Sequence, residues 1–269
     1  METNLAGAAM KIKTRKIDLD KNLDRFEYEN VAVEAPIKVF LNGKHLATVM
    51  ASPQNLAEMA FGLLIDEGVV PQPGDVVNVS IDKNEVWVES RRINLDRFKS
   101  ISAGVIVTSC SSRTDFHRVI EELKMSPLPL EQRVEASDIL DMAAELVKRS
   151  VTFRSTGGVH SAALFIDGAM EGFAEDVGRH NAVDKAIGSC LMKDAPLQRA
   201  VLVTSGRQPA DIVLKAARCR IPISVSLRAP LSSGVYAADL TGVTLICFAR
   251  GRRMNVYSHP ERINPLRTI

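Results

Sequence analysis

Cysteine is scarce in this 269-residue chain, and its four cysteines, Cys110, Cys190, Cys219 and Cys247, lie far apart. No two of them have the spacing of a zinc knuckle or a redox dithiol, and the usage suits a reducing cytoplasm, so a cytoplasmic location is expected. Cys190, Cys219 and Cys247 each adjoin an apolar residue in an expected helix or strand, which predicts small buried hydrophobes. Long apolar runs are lacking as well. None approaches the ~20 residues of a membrane span, so no membrane span is expected. An excess of one charge is also missing: the formal net charge of +2 argues against non-specific nucleic-acid binding, and no nucleic-acid partner is expected. Residues 1–16 carry Lys11, Lys13, Arg15 and Lys16 but no apolar segment with a cleavage site, so they read as a flexible basic tail and not a secretory signal. Repeats and low-complexity segments are absent. What remains is an ordinary globular composition, 46% hydrophobic and 25% charged, with enough length to bury a core.

The patterning divides the chain into a flexible tail (1–16), a β-rich amino-terminal part (17–114) and an α/β core (115–269). Val31–Glu34 and Ile37–Leu41 have strand character, and Asn42-Gly43 supplies a positive-φ turn before His45–Met50 return. Ser52-Pro53 reads as a helix cap and first turn, with Leu56, Met59, Ala60, Leu63 and Leu64 on one face until Gly68. A second hairpin joins Val76–Ile81 to Glu85–Glu89 through Asp82-Lys83-Asn84. Val105-Ile106-Val107 then leads into Ser109-Cys110-Ser111-Ser112-Arg113, which places Cys110 on a loop. Helices are expected at 116–123 and 138–149, with Pro127 and Pro129 between them. From Ala162 onward short apolar strands (162–166, 200–204, 221–227, 243–248) alternate with helices (179–191, 211–218, 236–240), the pattern of a layered α/β sheet.

The candidate chemistry is concentrated in that core. Gly157-Gly158 before His160 allow backbone amides to approach an anion, although a turn requires such glycines equally. Asp176-Val177-Gly178-Arg179-His180-Asn181 runs into a helix, so amide donors and the positive helix end can meet a phosphate; the alternative for Asp176 is a cap, and for Arg179 and His180 a solvated first turn. Ser205-Gly206-Arg207 follows an apolar strand, at the edge where open α/β sheets bind ligands, and Arg207 suits phosphate or a purine face. Phe248-Ala249-Arg250-Gly251-Arg252-Arg253 closes the last expected strand with three arginines. Tyr257, His259 and Arg262 follow in a segment rich in recognition side chains. His259-Pro260-Glu261 matches the His-x-Glu of zinc deaminases, but no Pro-Cys-x-x-Cys follows, so no metal site is expected. Cys110 is the one cysteine in a setting of small polar residues with a nearby cation, Arg113, that favours the thiolate.

These blocks together resemble the FdhD/NarQ formate dehydrogenase accessory family, over most of residues 30–263. The resemblance implies a core like that of cytidine deaminases without the zinc. It also implies a sulfurtransferase-type sulfur carrier that takes sulfur from a cysteine desulfurase as a persulfide on Cys110 and delivers it to a transiently bound molybdenum bis-molybdopterin guanine dinucleotide. The glycines and arginines named above, with Phe248-Ala249, would hold the guanosine diphosphate arms, a guanine nucleotide would mimic them, and the arms fit a homodimer. The catalytic subunit of a formate dehydrogenase would receive the product. Arg113 stands where the familiar form of the family has the second cysteine of Cys-x-x-Cys, which leaves a second reading, a cofactor chaperone that does not transfer sulfur; a third, a nucleotide deaminase or hydrolase, would require a bound metal.

Overall fold

The computed structural model describes residues 3–4, 7–103 and 126–264. Cys110, Arg113 and the helix expected at 116–123 lie outside the described residues. β1 (Thr3–Asn4) pairs with β2 (Ala9–Asp18), which folds back antiparallel on β3 (Leu23–Ala32). The flexible basic tail is thereby corrected, because Lys11, Lys13, Arg15 and Lys16 sit in a ten-residue strand. Met10, Ile12 and Thr14 alternate with the basic residues at the period of a strand. Cross-strand charges complete the pairing, with Arg15 2.7 Å from Asp24 and Lys16 2.6 Å from Glu27.

Next come β4 (Ala35–Leu41), β5 (Lys44–Ala51), α1 (Leu56–Asp66), β6 (Val76–Asp82), β7 (Glu85–Ser90) and α2 (Leu95–Ser102). Asn42 and Gly43 both have positive φ, as the expected hairpin turn requires. The strands form a sheet in the order β5-β4-β7-β6. One face carries Ile37, Val39, Leu41, Leu46, Val86 and Val88 and packs on α1. Ser52 does not cap that helix, contrary to expectation: the residue before α1 is Asn55, with φ 53° and no side-chain cap. Ser52 is drawn away because its amide donates to Asp176 (3.0 Å) and its hydroxyl accepts from the Val177 amide (3.2 Å).

The core follows, with β8 (Val134–Glu135), α3 (Ala136–Arg149), α4 (Val151–Thr156), β9 (His160–Ile166), β10 (Ala169–Asp176), α5 (Arg179–Leu191) and β11 (Ala200–Thr204). α6 (Ala210–Arg218), β12 (Ile223–Ser226), α7 (Ser232–Thr241), β13 (Thr244–Arg250), β14 (Arg253–Val256) and β15 (Ile263–Asn264) complete it. Six strands make one mixed sheet, β10-β9-β11-β12-β13-β14, and β15 pairs separately with β8. β11 and β12 are buried along their whole length because both faces of the sheet are covered. Ala163, Phe165, Val201, Val203 and Val225 meet Ile139, Met142 and Leu146 of α3, whereas Leu164 and Leu202 meet Val183, Ala186 and Ile187 of α5.

α1 and α5 cross at contact distance. A methyl group on Gly62 would stand 1.9 Å from the Asp184 carbonyl oxygen, and one on Gly188 would stand 1.9 Å from that of Glu58. Only glycine permits this approach, and it fuses the amino-terminal sheet to the core. Two buried lysines reinforce the junction. Lys185 Nζ lies 2.5 Å from Asp176, and Lys215 Nζ is 2.6, 2.9 and 2.9 Å from Asp66, Glu67 and Asp184. Burial pushes the Asp66 and Asp184 carboxyls up and works against the Lys215 charge, but the surrounding carboxylates hold Lys215 above its ordinary value.

Candidate functional site

β10 and β11 are both antiparallel to β9, and β12 and β13 run parallel to β11. Four carboxyl ends therefore share one edge of the sheet, and each is followed by an arginine: Arg179 after β10, Arg207 after β11, Arg228 after β12 and Arg250 at the end of β13. All four line one cleft of about 790 Å³, joined by His160 and Ser161 from the start of β9. The opposing wall is apolar, with Leu140, Ala143, Ala144 and Val147 from α3 and Phe153 from α4. Among the described residues none of the four arginines forms an ion pair, and Arg179 Nε is buried without a hydrogen-bond partner.

The loops at this edge are bonded in place. Ser205 Oγ accepts from the Ser161 amide (2.9 Å) and lies 3.5 Å from His160 Nδ1. Ser226 Oγ donates to the Gly206 carbonyl (2.5 Å) and accepts from the Arg228 amide (2.9 Å), which ties the loops after β11 and β12 together. A Cβ on Gly206 would meet the Arg179 side chain at 3.1 Å, so the glycine leaves Arg179 its course into the cleft. Pairing between β13 and β14 slips between Cys247 and Arg250, with Phe248 at φ 57°. That bulge re-aims the strand end and brings Ala249, Arg250 and Gly251 to the cleft. Burial, with Arg179 and Arg228 nearby, holds the His160 imidazole below its usual pKa. The edge is thus cationic and rich in donors, faced by an apolar wall, which suits a phosphorylated ligand with a planar apolar part.

Of the residues expected at a site, the cleft gathers His160, Arg179, Ser205, Gly206, Arg207, Ala249, Arg250 and Gly251. The other described ones are placed elsewhere. Gly157 ends α4 with positive φ, and Gly158 passes against Ala32, so the paired glycines serve a turn and a close packing contact. Asp176 is fully buried, where it accepts from the amides of Ser52 and Gly178, from Asn181 and from Lys185. Asn181 also donates to the Met50 carbonyl (2.9 Å). His180 pairs with Asp211 at 2.8 Å, and that partner keeps the Asp211 carboxyl below its usual range despite burial. Phe248 packs beside α6 and α7, while Arg252 and Arg253 are exposed around the turn into β14.

The segment after β14 is structural too. The Arg262 side chain is fully buried and donates to the carbonyls of Gly242 (2.7 Å) and Pro129 (2.6 Å). His259 Nε2 lies 3.0 Å from the Asp239 carbonyl, at the carboxyl end of α7. Cys190, Cys219 and Cys247 are buried as expected, and burial pushes their thiols up, Cys190 to about 11 and Cys247 to about 12.

Sequence reasoning missed Arg228 and the α3–α4 wall. Arg228 carried a signal, since Ser226-Leu227-Arg228 follows a strand just as Ser205-Gly206-Arg207 does. The wall carried none, because Val147 fell at helical spacing with Ile139, Met142, Ala143 and Leu146, as a core face does, and no helix was expected at Phe153.

Residues 32–264 match the model of the FdhD/NarQ family. The chain is 39% identical over 235 residues to the sulfur carrier protein FdhD of Methanothermobacter thermautotrophicus, across 87% of this chain and 92% of that one. It is 36% identical over 260 residues to the sulfur carrier protein FdhD of Sulfolobus acidocaldarius, across 94% and 100%. The fold is similar to a crystal structure of a candidate formate dehydrogenase accessory protein from Desulfotalea psychrophila, with TM-score 0.79 and 28% identity, covering 96% of this chain and 100% of that one.

Proposed function

The chain belongs to the FdhD/NarQ family, and on that premise we propose that it is a cytoplasmic sulfur carrier in the maturation of a formate dehydrogenase. Its substrate is a molybdenum bis-molybdopterin guanine dinucleotide, whose guanosine diphosphate arms lie in the cleft of two copies of the chain. The carrying observation is the row of arginines at the carboxyl edge, without carboxylate partners among the described residues, opposite an apolar wall. Phosphate oxygens take charge-assisted bonds from Arg179, Arg207, Arg228 and Arg250, each worth about 1.5–3 kcal/mol, and the ring system lies toward Phe153 and Leu140. His160, neutral near pH 7, donates or accepts without adding charge.

Sulfur enters through Cys110. Its thiolate attacks the outer sulfur of a persulfide on a cysteine desulfurase, the sulfur–sulfur bond there breaks, and the desulfurase thiolate leaves while Cys110 holds the new persulfide. Arg113 serves as the cation that favours the attacking thiolate. The core is read as deaminase-like but metal-free, a reading supported by its single mixed sheet with helices on both faces. The second reading, a cofactor chaperone without transfer, is favoured by Arg113 alone, where a second cysteine would fall.

Incubation with a cysteine desulfurase and cysteine, followed by cyanolysis, separates the two. The expected result is releasable sulfur on the parent chain and none on Cys110→Ala. Equal sulfur on both proteins would remove Cys110 from the mechanism, and sulfur on neither would establish the chaperone.

A further inference from the structure

β2 and β3 make a ribbon that outruns its support. Among the described residues β1 pairs with Met10 and Ala9 alone, and the base of β3 is held by α4 and the turn after it, where Asn30 donates to Ser155 (2.8 Å) and Gly158 meets Ala32. From Lys11 and Asn30 outward the ribbon has two strands, and among the described residues β3 pairs with β2 alone. Ile17, Leu19, Phe26 and Tyr28 are 59%, 90%, 67% and 68% exposed. A bare two-stranded ribbon is marginal in water, and an unpaired edge carrying exposed aromatics is a template for another strand.

We propose that the free edge of β3 pairs antiparallel with the same edge of a second copy, which makes this ribbon the dimer contact. The inference rests on the two-copy reading above and names the surface that joins the copies. Charge decides the register. A two-fold axis at Phe26 sets Arg25 opposite the partner's Glu27, Glu27 opposite the partner's Arg25, and Phe26 opposite the partner's Phe26. An axis at Glu27 would set that carboxylate against its own copy, and like charges directly opposite are unfavourable. Arg25 and Glu27 already share one face of the strand, 2.9 Å apart, so in that register each stands beside its opposite charge on the same face of the partner strand. Phe26 and Tyr28 are on the other face, where Lys13 lies 5.1 Å from the Phe26 ring, and pairing sets Phe26 beside the partner's Phe26 there. Such an isologous contact closes on itself and stops at two copies.

Sedimentation of the full chain across a concentration series tests this, with circular dichroism confirming that each variant is folded. Arg25→Glu should weaken dimerisation about tenfold, because it creates two like-charge pairs per contact, and the swap Arg25→Glu with Glu27→Arg should restore it. A dimer insensitive to both variants would overturn the ribbon contact while leaving the two-copy reading intact. A weakened single variant that the swap fails to rescue would overturn the Phe26 register. A parent chain that stays monomeric at every concentration would overturn the two-copy reading and the contact together.

Discussion

Lys185 and Lys215 are buried beside carboxylates, one with Asp176 and the other with Asp66, Glu67 and Asp184. Arg179, Arg207, Arg228 and Arg250 lie in the same core, at the edge of its sheet, and among the described residues none of them meets a carboxylate within ion-pair distance. The lysines are tied off by the fold itself and clamp the amino-terminal sheet, through Ser52 and α1, onto the core. The arginines are positioned by bulge, glycine and serine contacts and then left facing a cleft. Cations of the first kind hold the protein together, and cations of the second kind face a cleft. The motif Asp176–Lys185 contains both kinds within ten residues, so motif density alone does not separate them.

The contrast can be broken at its stronger end first. Asp176→Ala strands the Lys185 charge in the interior and removes an acceptor from Ser52, Gly178 and Asn181. Leaving one member of a buried pair uncompensated costs about 3–5 kcal/mol, which should appear as a lower urea midpoint or as failure to accumulate folded protein. A midpoint within experimental error of the parent would show that the junction does not depend on this pair.

Arg207→Ala should do the reverse. Stability should change by no more than about 0.5 kcal/mol, as for a residue with no ion-pair partner among the described residues, while guanosine diphosphate binding should weaken roughly tenfold or more in calorimetry. Arg228→Ala should match it, and that arginine is the sharper case because the fold alone brings it to the site. Guanosine diphosphate affinity equal to the parent's in both variants would take the nucleotide out of this cleft.

The smallest effect concerns His160. Burial and the nearby arginines hold its folded pKa below the ordinary value of 6.5. As pH falls below about 6.5 the unfolded chain therefore takes up a proton that the folded chain refuses, and stability declines until the folded pKa is reached. His160→Gln should flatten the stability profile in that window and leave it unchanged above pH 7. Coincident profiles for parent and variant would mean that the imidazole titrates as in water and is not pressed by the arginine row.

The apolar periodicity made most of the core legible. Arg179–Leu191 and Ala200–Thr204 were read with the ends they have, and Asn42-Gly43 marked its hairpin, because a run buried on both faces or a turn needing positive φ leaves little local ambiguity. β10 was overlooked because Ala169–Asp176 mixes glycine, acids and aromatics, and its strand pairing with β9 comes from distant partners. Most of β2 hid in what read as a tail, and most of β3 went unread within the β-rich part, since the ribbon has no core to announce it.

By itself the sequence determined that the carboxyl-terminal half is a layered α/β core, that Ser205-Gly206-Arg207 ends a buried strand, and that three cysteines are inert packing. Local periodicity and composition suffice for those statements. Only tertiary structure decided which charges are used and which are free. Strand order brought Arg228 and Arg250 beside Arg179 and Arg207, and it sent Asp176 and Asn181 into the junction with Ser52 and Met50. Lys215 meets Asp66 from 149 residues away, and even Asp176 and Lys185, nine residues apart, are joined in the interior by Ser52 from the distant amino-terminal part, so no short window of sequence shows how these charges are used.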